Sequence, residues 1–152
     1  MERISEYARI YEGAVIEEEA IIHDFVVVYP NAVIRTGAEI FEHCVVGRPP
    51  KAPGCTSREL STEFEETVIG KETILSPGCT VYAGTKIGHN TLLGDNCSIR
   101  EDCKIGDYCI ISRNVSVNYN TTVGNRTKIM DNTHITGNAI IEDDVFISVL
   151  VA

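Results

Sequence analysis

The chain has 152 residues, enough for one domain whose core needs no disulfide or metal staple. It carries 13 Lys and Arg against 22 Asp and Glu, a net charge of −9, which excludes the basic face that bulk nucleic acid or an anionic membrane surface requires. Hydrophobic residues make up 43%, too many for a disordered chain, yet no apolar run approaches the ~18–20 residues of a membrane span. The N-terminus has no apolar secretory segment, and the six Cys include no C-x-x-C pair, so a reducing, cytoplasmic address is expected.

From the N-terminus, an aliphatic residue recurs every six positions: Ile4, Ile10, Ile16, Ile22, Val28, Ile34, Ile40, Val46. The register breaks once, over Gly47 to Glu66, where three Pro, two Gly and a polar run read as an inserted loop, 47–66. It resumes at Ile69 and runs without a miss through Leu75, Val81, Ile87, Leu93, Ile99, Ile105, Ile111, Val117, Val123, Ile129, Ile135, Ile141 and Ile147. Two residues before nearly all of these, from Ala8 onward, stands a smaller one, mostly Ala, Thr or Cys. Residues i and i−2 of a strand share a face, so each hexad predicts a short strand with one small and one large side chain inward, then a corner. A helix is disfavoured, because a period of six is no multiple of 3.6 and β-branched residues dominate.

Gly70, Gly88, Gly106 and Gly124 impose a second period of 18, three hexads to a coil. The expectation is a three-sided prism of about seven coils, roughly 35 Å tall at ~4.8 Å per coil. Columns of residues 18 apart then share a face. One outward column, Ile74, Leu92, Ile110, Lys128 and Phe146, is apolar and suits a subunit interface. A second, Thr80, Ser98, Ser116 and His134, is polar and suits a cleft. A third contains Lys86 and Lys104. The inward Cys79, Cys97, Cys103 and Cys109 read as reduced core fillers, whereas Cys55 lies in the loop.

This pattern, covering 2–46 and 67–152, resembles the hexapeptide-repeat acyltransferases, which fold as left-handed parallel β-helices. The resemblance implies an all-β, left-handed parallel β-helix forming a single domain over 1–152, assembled as a homotrimer. It also implies acyl transfer from acetyl-CoA or another acyl-CoA to an amine or hydroxyl, with no metal. Within it, Lys128-Ile129-Met130-Asp131-Asn132 followed by Ile141-Glu142-Asp143-Asp144-Val145-Phe146 resembles the nucleotide-sugar N-acetyltransferases of surface-polysaccharide synthesis. That resemblance sets Asp131 and Asn132 near the sugar amine. His134 becomes the expected catalytic base or substrate contact, since a His titrating near neutrality suits proton removal from the attacking group. Asn118, Tyr119 and Asn120 are expected to line the cleft, with Arg113 and Arg126 as cationic partners for a diphosphate.

The segment Met130 to Gly137 also resembles the lipid A acyltransferase branch, but that branch's catalytic His falls on Gly137. A γ-class carbonic anhydrase zinc site is disfavoured, because Gly94 stands where a second ligand would follow Gly88-His89. A non-catalytic β-helical scaffold is the other alternative. The chain stops in mid-hexad at 148–152 without a closing helix, which reads as a truncated C-terminus. No nucleic-acid or membrane partner is expected.

Overall fold

The computed structural model describes residues 3–152. Among them every regular element is a short parallel strand, and three seven-stranded sheets form the three faces of a solenoid. The first face runs from Arg9–Ile10 through Val45–Arg48, Thr80–Tyr82, Ser98–Ile99 and Ser116–Val117 to His134–Ile135. The second runs from Val15–Ile16 to Ile140–Ile141, and the third from Ile21–Ile22 to Phe146–Ile147. Strands pair with the residue 18 further on, as in Ser116↔His134 and Lys86↔Lys104, so each coil is 18 residues. Among the described residues no helix is long and apolar enough to cross a membrane.

The aliphatic ladder is the core. Ile22, Ile34, Ile40, Ile69, Leu75, Leu93, Ile99, Ile111 and Ile129 are fully buried, and the ladder becomes solvent-exposed only in the terminal coils. The small inward slot has a second task. Thr91 donates its hydroxyl to the Gly106 carbonyl at 2.8 Å and accepts the Cys109 amide at 3.1 Å. Thr85, Thr127 and Thr133 repeat this, each donating to the carbonyl fifteen residues on. Cys79, Cys97, Cys103 and Cys109 make the same donation through Sγ, at 3.0, 2.7, 3.0 and 3.0 Å. The slot therefore selects residues that are small and can donate to a corner carbonyl. Burial pushes the Cys103 thiol up to about 11, so it stays protonated and able to donate.

Each corner turns on one residue with a left-handed backbone, three positions after the aliphatic residue. Asn31, Asn90, Asn96, Asn114, Asn120, Asn132 and Asn138 occupy that slot with φ between 52° and 64°. Asn tolerates this region better than most side chains, so the corner geometry accounts for its recurrence. The Gly column has a different cause. A Cβ on Gly70 would meet the Gly88 carbonyl oxygen at 2.2 Å, so stacked backbones leave no room there.

The excursion leaves the first face. Arg48 remains paired to Tyr82 of the neighbouring coil across a bulge that skips Gly47, so the loop proper is 49–66. Gly47 sits at φ 87°, and a Cβ there would crowd Ala32 and Tyr29 at 3.3 Å. The coils resume in register on the other side, with Val33↔Val68 and Ile34↔Ile69.

Candidate functional site

Two outward columns of the first face create the site. The residues before the ladder positions Val81, Ile99, Val117 and Ile135 are Thr80, Ser98, Ser116 and His134. The residues after them are Tyr82, Arg100, Asn118 and Thr136. Ser98, Arg100, Ser116, Val117, Asn118 and His134 line a cavity of about 250 Å³. Inside it, Ser116 Oγ and His134 Nδ1 are 2.9 Å apart, a hydrogen bond between adjacent coils that engages Nδ1 rather than Nε2.

The excursion closes over the corner that borders this cavity. Arg58 donates to the buried Glu101 carboxylate at 2.6 Å, and Arg100 donates to its other oxygen at 2.8 Å. Although burial favours the protonated form, these guanidiniums hold the Glu101 carboxyl below its ordinary range. Arg58 also lies 3.6 Å from the Tyr119 ring centroid. Tyr119 in turn covers Gly137, where a Cβ would fall 2.7 Å from the ring.

The expected site residues separate into three groups. His134 and Asn118 meet in the cavity, and Tyr119 and Asn120 follow Asn118 around the corner between the first and second faces. Asn118 Oδ1 accepts the Tyr119 amide, and Asn120 bonds Asn138 at 2.9 Å in the corner ladder. Asp131 and Asn132 lie at the opposite corner, where the third face passes into the first. There Asp131 accepts hydrogen bonds from Ser112 Oγ and Arg113, which hold its carboxyl below the usual range. Arg113 is thus engaged by Asp131, at 2.9 Å. Arg126 belongs to the corner between the second and third faces and is gripped by Asp144 at 2.7 and 3.1 Å.

The other histidines are tied elsewhere. His89 Nε2 meets Asp107 Oδ2 at 3.1 Å, and His23 and His43 stack on Phe41 and Phe25. Among the described residues no three His, Cys, Asp or Glu converge as a metal site requires. Residue-by-residue reading missed Arg48, Arg58, Tyr82, Arg100 and Glu101. The signal for Tyr82 and Arg100 was present, since they share the 18-residue column of Asn118.

Comparison with known proteins agrees with this architecture. The family model described as bacterial transferase hexapeptide (six repeats) matches residues 84–118. No curated protein matches the chain. Among solved structures, the UDP-N-acetylglucosamine O-acyltransferase of Moraxella catarrhalis RH4 is similar over 93% of this chain and 63% of its own, with 18% identity and a TM-score of 0.55. LpxA from Acinetobacter baumannii is similar over 95% of this chain and 69% of its own, with 19% identity and a TM-score of 0.56. The UDP-N-acetylglucosamine acyltransferase of Arabidopsis covers 94% of this chain and 58% of its own, at 16% identity and a TM-score of 0.53. The chain thus spans less than two thirds of the Moraxella and Arabidopsis proteins. Residues 84–118 thus match the hexapeptide-repeat model, and the chain shares the solenoid fold of these solved structures.

Proposed function

We propose that this protein transfers an acetyl or other short acyl group from acyl-CoA to the amino group of a nucleotide-linked sugar. The observation that carries the reading is the Ser116–His134 pair in a polar cavity, on a fold shared with nucleotide-sugar acyltransferases. An amine attacking a thioester carbonyl must lose a proton, and the thiolate leaves as the tetrahedral intermediate collapses. In the tautomer where Nδ1–H donates to Ser116 Oγ, the His134 Nε2 lone pair is free to take that proton. Asn118 lines the same cavity and supplies amide groups for sugar hydroxyls. Tyr119 and Asn120 extend its wall, while Asp131 and Asn132 border the face from the other corner and orient the amine.

An amine acceptor is favoured over the hydroxyl chemistry of the lipid A branch by Gly137. Tyr119 fills the space above it, so no base can project from that position. The functional unit is a homotrimer joined through the third face, where Ile74 and Leu92 are 39% exposed and Phe146 is 65% exposed. The enzyme works in the cytoplasm, where acyl-CoA and nucleotide sugars occur together. Incubating it with acetyl-CoA and UDP-, dTDP- and GDP-linked amino sugars, with product detection by mass, tests the reading.

A further inference from the structure

We propose that Arg48, Tyr82 and Arg100 form a binding subsite for the diphosphate of a nucleoside-diphosphate sugar, at the end of the cavity that contains His134. This deepens the acyl-transfer reading and rests on it for the identity of the ligand.

The three residues are brought together by the fold. Tyr82 and Arg100 stand 18 residues apart, one coil above the other, in the column that continues to Asn118. Arg48 joins them only because of the bulge at Gly47, which consumes one residue and makes Arg48, rather than its predecessor, the partner of Tyr82. Bulges re-aim side chains in this way, and they concentrate near binding sites. The Arg48 guanidinium donates to the Tyr82 hydroxyl at 2.7 Å. Its carbon lies 5.2 Å from the Tyr82 ring centroid and that of Arg100 lies 4.8 Å away, so both cations share one aromatic ring.

The charges around them are uneven. Arg58 and Arg100 share Glu101, and Lys86 has Glu65 at 3.4 Å. Asp102 lies near Glu101 and Glu65, with Arg58 and Lys86 as its compensating cations. Arg48 is half-buried and, among the described residues, has no carboxylate within 4.0 Å; its one polar side-chain partner is a phenol. A half-buried guanidinium beside a second one, in a chain of net charge −9, marks a position prepared for an anion. Guanidinium forks match phosphoryl oxygens, and two forks within reach of each other match two linked phosphoryl groups. Arg100 is also a wall of the cavity, two coils from His134, a rise of roughly 10 Å. One sugar ring and its glycosyl phosphate bridge such a separation, which carries the sugar to His134 when the diphosphate is held by Arg48 and Arg100. Arg113 and Arg126 lie at other corners of the solenoid, paired with Asp131 and Asp144, whereas Arg100, although engaged by Glu101, borders the cavity itself.

The test is calorimetric binding of UDP, dTDP, GDP and inorganic pyrophosphate, with the matching monophosphates, to the full chain and to Arg48→Gln, Arg48→Lys, Arg100→Gln, Arg126→Gln and Arg9→Gln. Arg9 is the control, because it also rests on a tyrosine ring (Tyr11, 4.8 Å) but in a distant coil. The wild type is expected to prefer one diphosphate over its monophosphate by at least tenfold. Arg48→Gln and Arg100→Gln should weaken that diphosphate tenfold or more and erase the preference, with Arg48→Lys intermediate and Arg9→Gln and Arg126→Gln within twofold of wild type. Thermal melts identify any variant that fails to fold, and Arg48→Lys, which keeps the charge, then carries the comparison. The subsite is overturned if the wild type binds no diphosphate, if Arg48→Gln binds like wild type, or if Arg126→Gln shows the loss instead. Acyl transfer with an unchanged KM in Arg48→Gln overturns the subsite and leaves the reaction standing. Loss of diphosphate binding in Arg48→Gln, without transfer to any sugar in the wild type, upholds the subsite and removes the reaction.

Discussion

Arg58 rests 3.6 Å from the centre of the Tyr119 ring while its guanidinium reaches the buried Glu101 at 2.6 Å. Through this side chain the excursion is fastened to the corner that borders the cavity. The contact joins a loop of no regular structure to two successive coils of the solenoid, and it gives the loop a defined position at the Glu101–Tyr119 corner.

The fastening should depend on acid. The Glu101 carboxyl is held below its ordinary value by Arg58 and Arg100 against the effect of burial. A depressed folded-state value contributes stability that is complete above the unfolded value, about 4.3 for Glu, and is lost as pH falls through the folded one. Melting temperatures from pH 7 down to 3 should show the wild type losing its advantage over Glu101→Gln below about pH 4. At neutral pH, Arg58→Ala should destabilise by about 2 kcal/mol, the scale of a hydrogen bond to a charged group.

The inward slot yields a prediction on stability alone. Thr91→Val preserves volume but leaves the Gly106 carbonyl and the Cys109 amide without their partner. Denaturant unfolding should show a loss of about 1–3 kcal/mol, while Thr91→Ser, which keeps the hydroxyl, should recover most of it. Equal stability of Thr91→Val and wild type would mean that the slot selects for size only.

Asn132 separates backbone from chemistry. Its φ of 61° makes glycine the neutral replacement and a β-branched residue the costly one. Asn132→Val should lose roughly 1–2 kcal/mol, and Asn132→Gly should melt close to wild type. Turnover in Asn132→Gly then reports on the amide by itself: a fall of tenfold or more assigns it to substrate, and wild-type turnover assigns it to the corner.

His134 and Ser116 should differ in kind. His134→Ala removes the base and is expected to lower kcat by about 10²–10⁴-fold, with an unchanged melt because His134 is exposed. Ser116→Ala keeps the base but frees the ring to adopt the wrong tautomer, so kcat should fall less, by about tenfold. Wild-type kcat in His134→Ala would move the base elsewhere.

Much of this architecture is legible in the sequence because it repeats. An aliphatic ladder with a small residue two positions earlier is readable at once, and the structure buries that ladder along the solenoid. The polar column from Thr80 to His134 is readable for the same reason, since pairing 18 residues apart converts spacing into neighbourhood. What escapes is whatever breaks the period or spans it. Arg48 enters the Tyr82 column only through a one-residue bulge, one position off the period. The contacts of Arg58 with Glu101 and Tyr119 join segments related by no repeat. Asn120 and Asn132 invite a chemical reading from their side chains, whereas the left-handed corner supplies a conformational reason for the same residue.

The central claim is acyl transfer to an amino sugar on a nucleotide. Its most direct measurement is mass spectrometry of the sugar nucleotide after incubation of the wild-type protein with acetyl-CoA and the UDP-, dTDP- and GDP-linked amino sugars. The predicted result is one sugar nucleotide heavier by a single acetyl group on nitrogen, formed at a rate proportional to protein and abolished by omitting acetyl-CoA. Acetylation on oxygen, or calorimetric binding of neither CoA nor any nucleotide by the folded protein, would contradict it.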